Sequence, residues 1–152
     1  MSLNYFRWLH SEFGPSLGRL TTSQFSKMYL LPRTARRRCS VTEELHSNAA
    51  TASHVNAATW FISHTWNNPF ADTLESILNF FEGLTDTANT VLWMDVFVYS
   101  QHLTGQPSKE PSWYMSMFQS SIARIGSLLL VVDVWDYPSA LHRAWSVRLC
   151  SA

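Results

Sequence analysis

Two cysteines, Cys39 and Cys150, are all that 152 residues contain. They are too few for a disulfide framework and match no metal-ligand spacing, so a reducing compartment, the cytoplasm, is the expectation. Net charge is also missing: the formal charge is zero, which removes any global drive towards nucleic acid or an anionic membrane. Long apolar runs are absent. The longest, Leu128 to Val132, stops at Asp133 and is too short to span a bilayer, and no secretory apolar stretch follows Met1. Glycine is scarce, with five in the chain and none between Ser63 and Asn68. A dinucleotide fingerprint or phosphate-binding loop after the first predicted strand is thereby excluded, as is hydrolysis from a Gly-x-Ser-x-Gly elbow, a motif the chain lacks.

What is present is apolar content of 46%, enough for one domain with a substantial core. The charge is unevenly placed. Residues 1–45 hold seven basic side chains against three acidic, whereas residues 46–152 hold four against eight. Residues 1–42 are rich in Arg and Ser with Glu12 the only acid, so organelle targeting is the alternative to a basic N-terminal extension. The cluster from Arg33 to Arg38 is expected to be a solvated loop. A nucleic-acid patch is the sharper reading, but no aromatic side chains interleave with the charges.

Tyr5, Phe6, Leu9 and Phe13 suit one short amphipathic helix ended by Gly14-Pro15. A second starts at Thr22-Ser23, places Phe25, Met28 and Tyr29 on one face, and should stop at Pro32. Residues 40–56 are too sparsely apolar to define a strong element. The organising stretch follows, from Ala58 to Trp66: a buried strand over 59–63 that delivers Ser63 and His64 to its carboxyl end. Phe70, Leu74, Ile77, Leu78 and Phe81 then keep helical spacing, with Asn68 as cap, Pro69 in the first turn and Gly83 as stop. Residues 90–99 are apolar enough for a second, central strand, and Ser100 to Pro111 is a polar loop. A helix capped by Ser112 turns Tyr114, Met117, Phe118, Ile122 and Ile125 inward and ends at Gly126. The third strand covers 128–134, and Pro138 opens a last helix carrying Leu141, Ala144, Trp145 and Leu149. Strand and helix alternate three times, which predicts an α/β fold with parallel strands in the order second-first-third and helices on both faces.

Ligands of such sheets bind beyond the carboxyl ends of the strands. That rim would hold Ser63 and His64 from the first strand, Gln101 and His102 after the second, and Asp136 with His142 and Arg143 after the third. Three histidines suggest zinc, but no pair has i, i+4 spacing and no thiolate joins them, so no metal is expected. A ligand-facing rim and histidines bonded to turn backbone remain equal alternatives. Trp66, Trp93, Trp135 and Trp145 could stack on a flat ring, although packing between helix and sheet is the expected role for most.

The text Phe61-Ile62-Ser63-His64-x-Trp66, then Trp93-x-Asp95-x-Phe97 with Gln101-His102, then Trp135-x-x-Pro138-x-x-Leu141-x-Arg143-Ala144-Trp145, resembles the TIR-like domains common in algae and other protists. Upstream, Leu20-Thr21-Thr22 and Pro32-x-Thr34 resemble the segment that often leads into that domain. The resemblance implies a flavodoxin-like fold and a ligand-binding rim of Ser63, His64, Trp66, Asp95, Gln101, His102, Asp136 and Arg143. It divides the chain into an N-terminal extension (1–19), a lead-in segment (20–56), the TIR-like domain (57–149) and a tail (150–152). Some such domains cleave the nicotinamide–ribose bond of NAD, and others are adaptors that self-associate. The glutamate that acts in the catalytic members falls here on Leu149, so the resemblance implies a signalling and protein-interaction module without catalytic residues, a pseudoenzyme needing no cofactor. Its partner would be a second copy or another TIR-like domain. An NAD nucleosidase with its acid supplied in trans is the alternative, with NAD as ligand or substrate. Nucleic-acid binding by the arginine cluster is a second alternative. Three strands where the family has five also imply a C-terminally truncated domain, a fragment or altered-end product with Leu128 to Val134 as an apolar edge.

Overall fold

A computed structural model describes residues 1–85, 87–103 and 111–132 of the chain. Strand β1 (Trp60–Ser63) lies at the centre of a three-stranded, all-parallel sheet in the order β2-β1-β3, where β2 is Leu92–Trp93 and β3 is Leu128–Leu130. Phe61 stands beside both Trp93 and Leu128, and Ser63 stands beside Leu130. The predicted α/β alternation, strand direction and strand order are therefore present. Successive side chains of β1 point to opposite faces, as the pleat requires. Trp60 meets Phe80 and Phe81 of helix α5 (Phe70–Glu82) edge-on, whereas Phe61 stacks on Trp93 at 4.4 Å and meets Phe118 of helix α7 (Pro111–Ile125). Helices thus cover both faces of the central strand.

The N-terminal region departs most from expectation. Helix α1 runs from Leu3 to Leu17, past Gly14-Pro15, and ends at Gly18, whose φ of +51° is a left-handed value that glycine adopts without strain. Met1, Leu3, Phe6, Leu9 and Leu17 are buried in the same core as Leu74, Ile77 and Phe81 of α5. Residues 1–19 are not an appended extension, because they form part of the core that covers the sheet. Burial of Leu17 at helical spacing from Phe6 and Leu9 is what carries the helix through the proline.

From Thr22 to Thr34 the chain is helical throughout: α2 (Thr22–Phe25), one π turn (Ser26–Leu30) and α3 (Leu31–Thr34). Pro32 does not stop it. A proline removes one donor and crowds the carbonyl four residues back, and a π turn relieves that crowding by widening the helix just before the ring. Here the Leu31 N–H reaches the Ser26 carbonyl, five residues back. The arginine cluster is solvent-exposed, as expected, but it is the end of a helix and a turn whose last two arginines are bonded. Arg37 pairs with Glu44 at 3.7 Å and bonds Ser47, and Arg38, at φ +50°, reaches the His102 carbonyl at 3.5 Å. Helix α4 (Val41–His46) then appears where no strong element was expected.

The second strand is also shorter than the predicted 90–99. Leu92 and Met94 turn into the main core and Trp93 to the α7 side, but the chain leaves the sheet at Met94 and forms the single turn α6 (Asp95–Val98). Val96 and Phe97 are both buried, an arrangement that one turn of helix permits and a pleated strand with one covered face does not. Strand β2 is not central either. Its outer side carries an antiparallel bridge from Ser2 to Val91, with Leu92 N–H donating to the Met1 carbonyl at 2.7 Å and Leu3 N–H to the Thr90 carbonyl at 3.1 Å. The chain thereby covers its own sheet edge.

Helix α5 buries the apolar set its spacing predicts, but Pro69 flanks it in an extended conformation and Asn68 does not cap it. The Phe70 N–H is satisfied instead by the Leu20 carbonyl at 2.8 Å, and Thr22 N–H donates to the Asn68 carbonyl at 3.0 Å. Helix α7 ends, as expected, at Gly126, whose φ is +80°. Strand β3 is less buried than predicted, with Leu128 38% exposed, and Val131 prolongs the pairing through its N–H to the Ser63 carbonyl at 2.8 Å. The predicted end of the third strand, Asp133-Val134, and the predicted helix from Pro138 lie outside the described residues.

Candidate functional site

Where β1 and β2 end, three of the predicted rim residues meet. Asp95 is the first residue of α6, and its side chain is 10% exposed. One carboxylate oxygen accepts the Trp66 Nε1–H at 2.9 Å, and the other accepts the Val96 N–H at 2.8 Å. His64 is fully buried, with its Nδ1 3.8 Å from Asp95 Oδ1. That separation exceeds a hydrogen bond, and the contact becomes an ion pair when the imidazole is protonated. Burial, with the Asp95 carboxylate adding to it, pushes the neighbouring Tyr99 phenol up to about 12. The phenol hydroxyl contacts the Met117 sulfur.

Ser63 does not join this group. Strand alternation sends it to the α7 side with Phe61, while His64 follows Ile62 towards α1 and α5. The Ser63 hydroxyl is buried and has no hydrogen-bond partner among the described residues. Ser63 and His64 therefore do not form a nucleophile–base pair, despite being adjacent in the chain. Gln101 turns back onto its own loop, its amide donating to the Val96 carbonyl at 3.2 Å and the Tyr99 carbonyl at 3.0 Å. His102 lies to the side, its Nε2 bonded to the Thr34 hydroxyl at 2.8 Å. Asp136 and Arg143, with His142, Trp135, Trp145 and the Leu149 position, lie outside the described residues. No group of three or more His, Cys, Asp or Glu suited to a metal occurs among the described residues.

The lead-in segment positions this rim. Ser23 N–H donates to the Trp66 carbonyl at 3.0 Å, the Thr21–Pro69 bridge holds the loop beyond it, and Thr34 holds His102. Backbone pairing of this kind leaves no periodic trace in sequence, which is why residues 20–23 carried no predicted contact with 66–70. The Thr21-x-x-Gln24 box signals only the start of α2, and both of its reciprocal hydrogen bonds are formed. Trp93 takes the packing role, stacked on Phe61 and edge-on to Phe118. A groove of about 670 Å³ runs along α7 past Trp93 and Trp113 to Arg124, and of the predicted rim residues its described lining has the aromatic Trp93 alone.

Chemically, the arrangement is a brace. A carboxylate whose two oxygens are both engaged and an indole that donates to it tie the β1 loop to the β2 loop, with the buried His64 imidazole beside the carboxylate. No helix among the described residues is long and apolar enough to cross a membrane. No protein family, curated protein or solved structure matches the chain.

Proposed function

We propose that the chain is a flavodoxin-like, TIR-like signalling module that works by protein contact, either with a second copy or with another TIR-like domain, and does not cleave NAD. One observation carries the reading: Trp66, from the Phe-x-Ser-His-x-Trp text, and Asp95, from the Trp-x-Asp-x-Phe text, are joined at 2.9 Å across the ends of adjacent parallel strands. Motif residues 29 positions apart are thus parts of one structural unit. The lead-in residues of the same resemblance brace that unit through Ser23 and Thr34.

Against turnover stands the chemistry of the rim. Cleavage at a ribose passes through a positively charged sugar, which needs a carboxylate free to face it. Both oxygens of Asp95 already accept hydrogen bonds, and the position where the resemblance places the glutamate is Leu149. Loss of one electrostatic stabiliser typically costs on the order of 10² to 10³ in rate. The expected outcome is no nicotinamide release when the purified chain is incubated with NAD, at low or high protein concentration, and none from Leu149→Glu alone. Sedimentation velocity across the same concentrations, alone and with a second TIR-like domain, is expected to show association. Nicotinamide release by the unmodified chain that rises with self-association would replace this reading with a nucleosidase completed in trans.

A further inference from the structure

The groove along α7 lies apart from the rim, and the role proposed above makes no use of it. Trp113, Met117, Ser120 and Arg124 recur at three- or four-residue intervals, so one face of α7 forms its wall. Eleven residues separate Trp113 from Arg124, which at the helical rise is about 16 Å. The volume, about 670 Å³, lies within the range of small-molecule sites, roughly 300–1,000 Å³.

The two ends of the groove differ in chemistry. At the Trp113 end is one indole, and Trp93 lines the groove as well. Trp93 is fixed by its stack on Phe61, with ring planes 15° apart, and Trp113 is 38% exposed at the mouth. At the other end is Arg124, which makes no ion pair or hydrogen bond among the described residues, with the Ser121 hydroxyl one turn earlier; the Ser120 hydroxyl donates to the Ser116 carbonyl at 2.8 Å. Ala57 and Ala58, just before β1, line the groove with side chains of a single carbon. A guanidinium with an adjacent hydroxyl suits an anionic group with several acceptor oxygens, and indoles suit a flat ring. The C-terminal dipole of α7 opposes an anion at Arg124, which sets the expected affinity in a weak range without removing the charge-assisted bonds.

We propose that this groove binds a small planar aromatic anion, with the ring against Trp93 and Trp113 and the anionic group on Arg124 and Ser121. A purine mononucleotide and an aromatic carboxylate share that chemistry, so the test has an arm for each. The full chain is titrated calorimetrically with AMP and with indole-3-acetate, and with adenosine and inorganic phosphate as the separated halves. Saturable binding of AMP or indole-3-acetate is expected, with adenosine and phosphate each about tenfold weaker or more. Arg124→Gln and Trp113→Ala should each weaken the binding by about tenfold or more, the loss of one charge-assisted bond or one stacking partner. Arg124 is exposed, so Arg124→Gln should leave the unfolding midpoint near that of the parent, and Trp113→Ala is scored on protein that still unfolds cooperatively. Tighter AMP binding identifies the anion as a phosphate, and tighter indole-3-acetate binding identifies a carboxylate. No saturable heat with either ligand, or binding that both substitutions leave unchanged, overturns the proposal.

Discussion

Asp95 is the residue on which the rim depends, and its worth follows from what it would leave behind. Replacing it with Ala strands the buried Val96 N–H and the part-buried Trp66 Nε1–H, and an unsatisfied buried donor costs about 1–3 kcal/mol. Trp66→Phe removes only the donor and keeps most of the ring, so it should cost closer to 1 kcal/mol. The expected order in urea denaturation is parent, then Trp66→Phe, then Asp95→Ala with a loss of at least about 2 kcal/mol. Equal midpoints for parent and Asp95→Ala would mean that the carboxylate is kept for a ligand and not for the brace. His64 was recognisable in the sequence as a polar residue at a strand end and Trp66 as an aromatic just beyond it, whereas Asp95 entered the rim only through the resemblance. Their mutual contacts were not recognisable, because a strand read over 90–99 places Asp95 within the sheet. The helical turn that brings its carboxylate onto Trp66 depends on tertiary burial of both Val96 and Phe97.

Among elements, the short helices were the least legible. Their stability comes from caps and packing and not from a long apolar stripe. Helix α4 is six residues long, and its sequence signature is the Ser40-x-x-Glu43 box. The Ser40 N–H and hydroxyl donate to the Glu43 carboxylate at 2.7 and 2.8 Å, and the Glu43 N–H donates back to the hydroxyl at 3.2 Å. The Ser40 backbone bond first, and its hydroxyl second, hold the Glu43 carboxyl below its usual value of 4.5. A carboxyl depressed in the folded state adds stability above its unfolded pKa, and that stability is lost as pH falls through the folded value. Ser40→Ala is therefore expected to cost about 1 kcal/mol near neutral pH, typical of a lost cap. The cost should shrink once the pH is well below the carboxylate range, where Glu43 is protonated in both states. Paired denaturation curves at the two pH values measure it, and a penalty that does not change with pH would locate the effect in packing alone. By contrast, α5, α7 and the order of the strands were legible. Each rests on repeated apolar spacing over many residues, or on a crossover long enough to make the strands parallel.

At the scale of the molecule, the sheet depends on the first residues of the chain. An amphipathic stretch beside a basic one looked like an extension because its composition is basic, yet composition does not report which face is covered. Tyr5, Phe6, Leu9 and Leu17 are among its buried side chains, and burying a large apolar side chain contributes about 1.5–3 kcal/mol. Several such side chains together rival the whole stability of a domain, roughly 5–15 kcal/mol. Phe6 is the sharpest probe. It is completely buried and meets Phe97 of α6 edge-on at 5.6 Å, so it links α1 directly to the turn that carries Asp95. Phe6→Ala should cost about 3–5 kcal/mol through lost transfer energy and the cavity left behind. Arg7→Ala, one residue along and exposed, with only a hydrogen bond to Asn4, should stay within about 0.5 kcal/mol of the parent. A chain beginning at Gly18 would lose all of this burial together with the Met1–Leu92 pairing that covers β2, and it should show no cooperative unfolding transition by circular dichroism. If that shortened chain unfolded cooperatively near the parent midpoint, or if Phe6→Ala matched Arg7→Ala, α1 would be an appendage after all. The core of the domain would then have to be assigned to residues 57–132 alone.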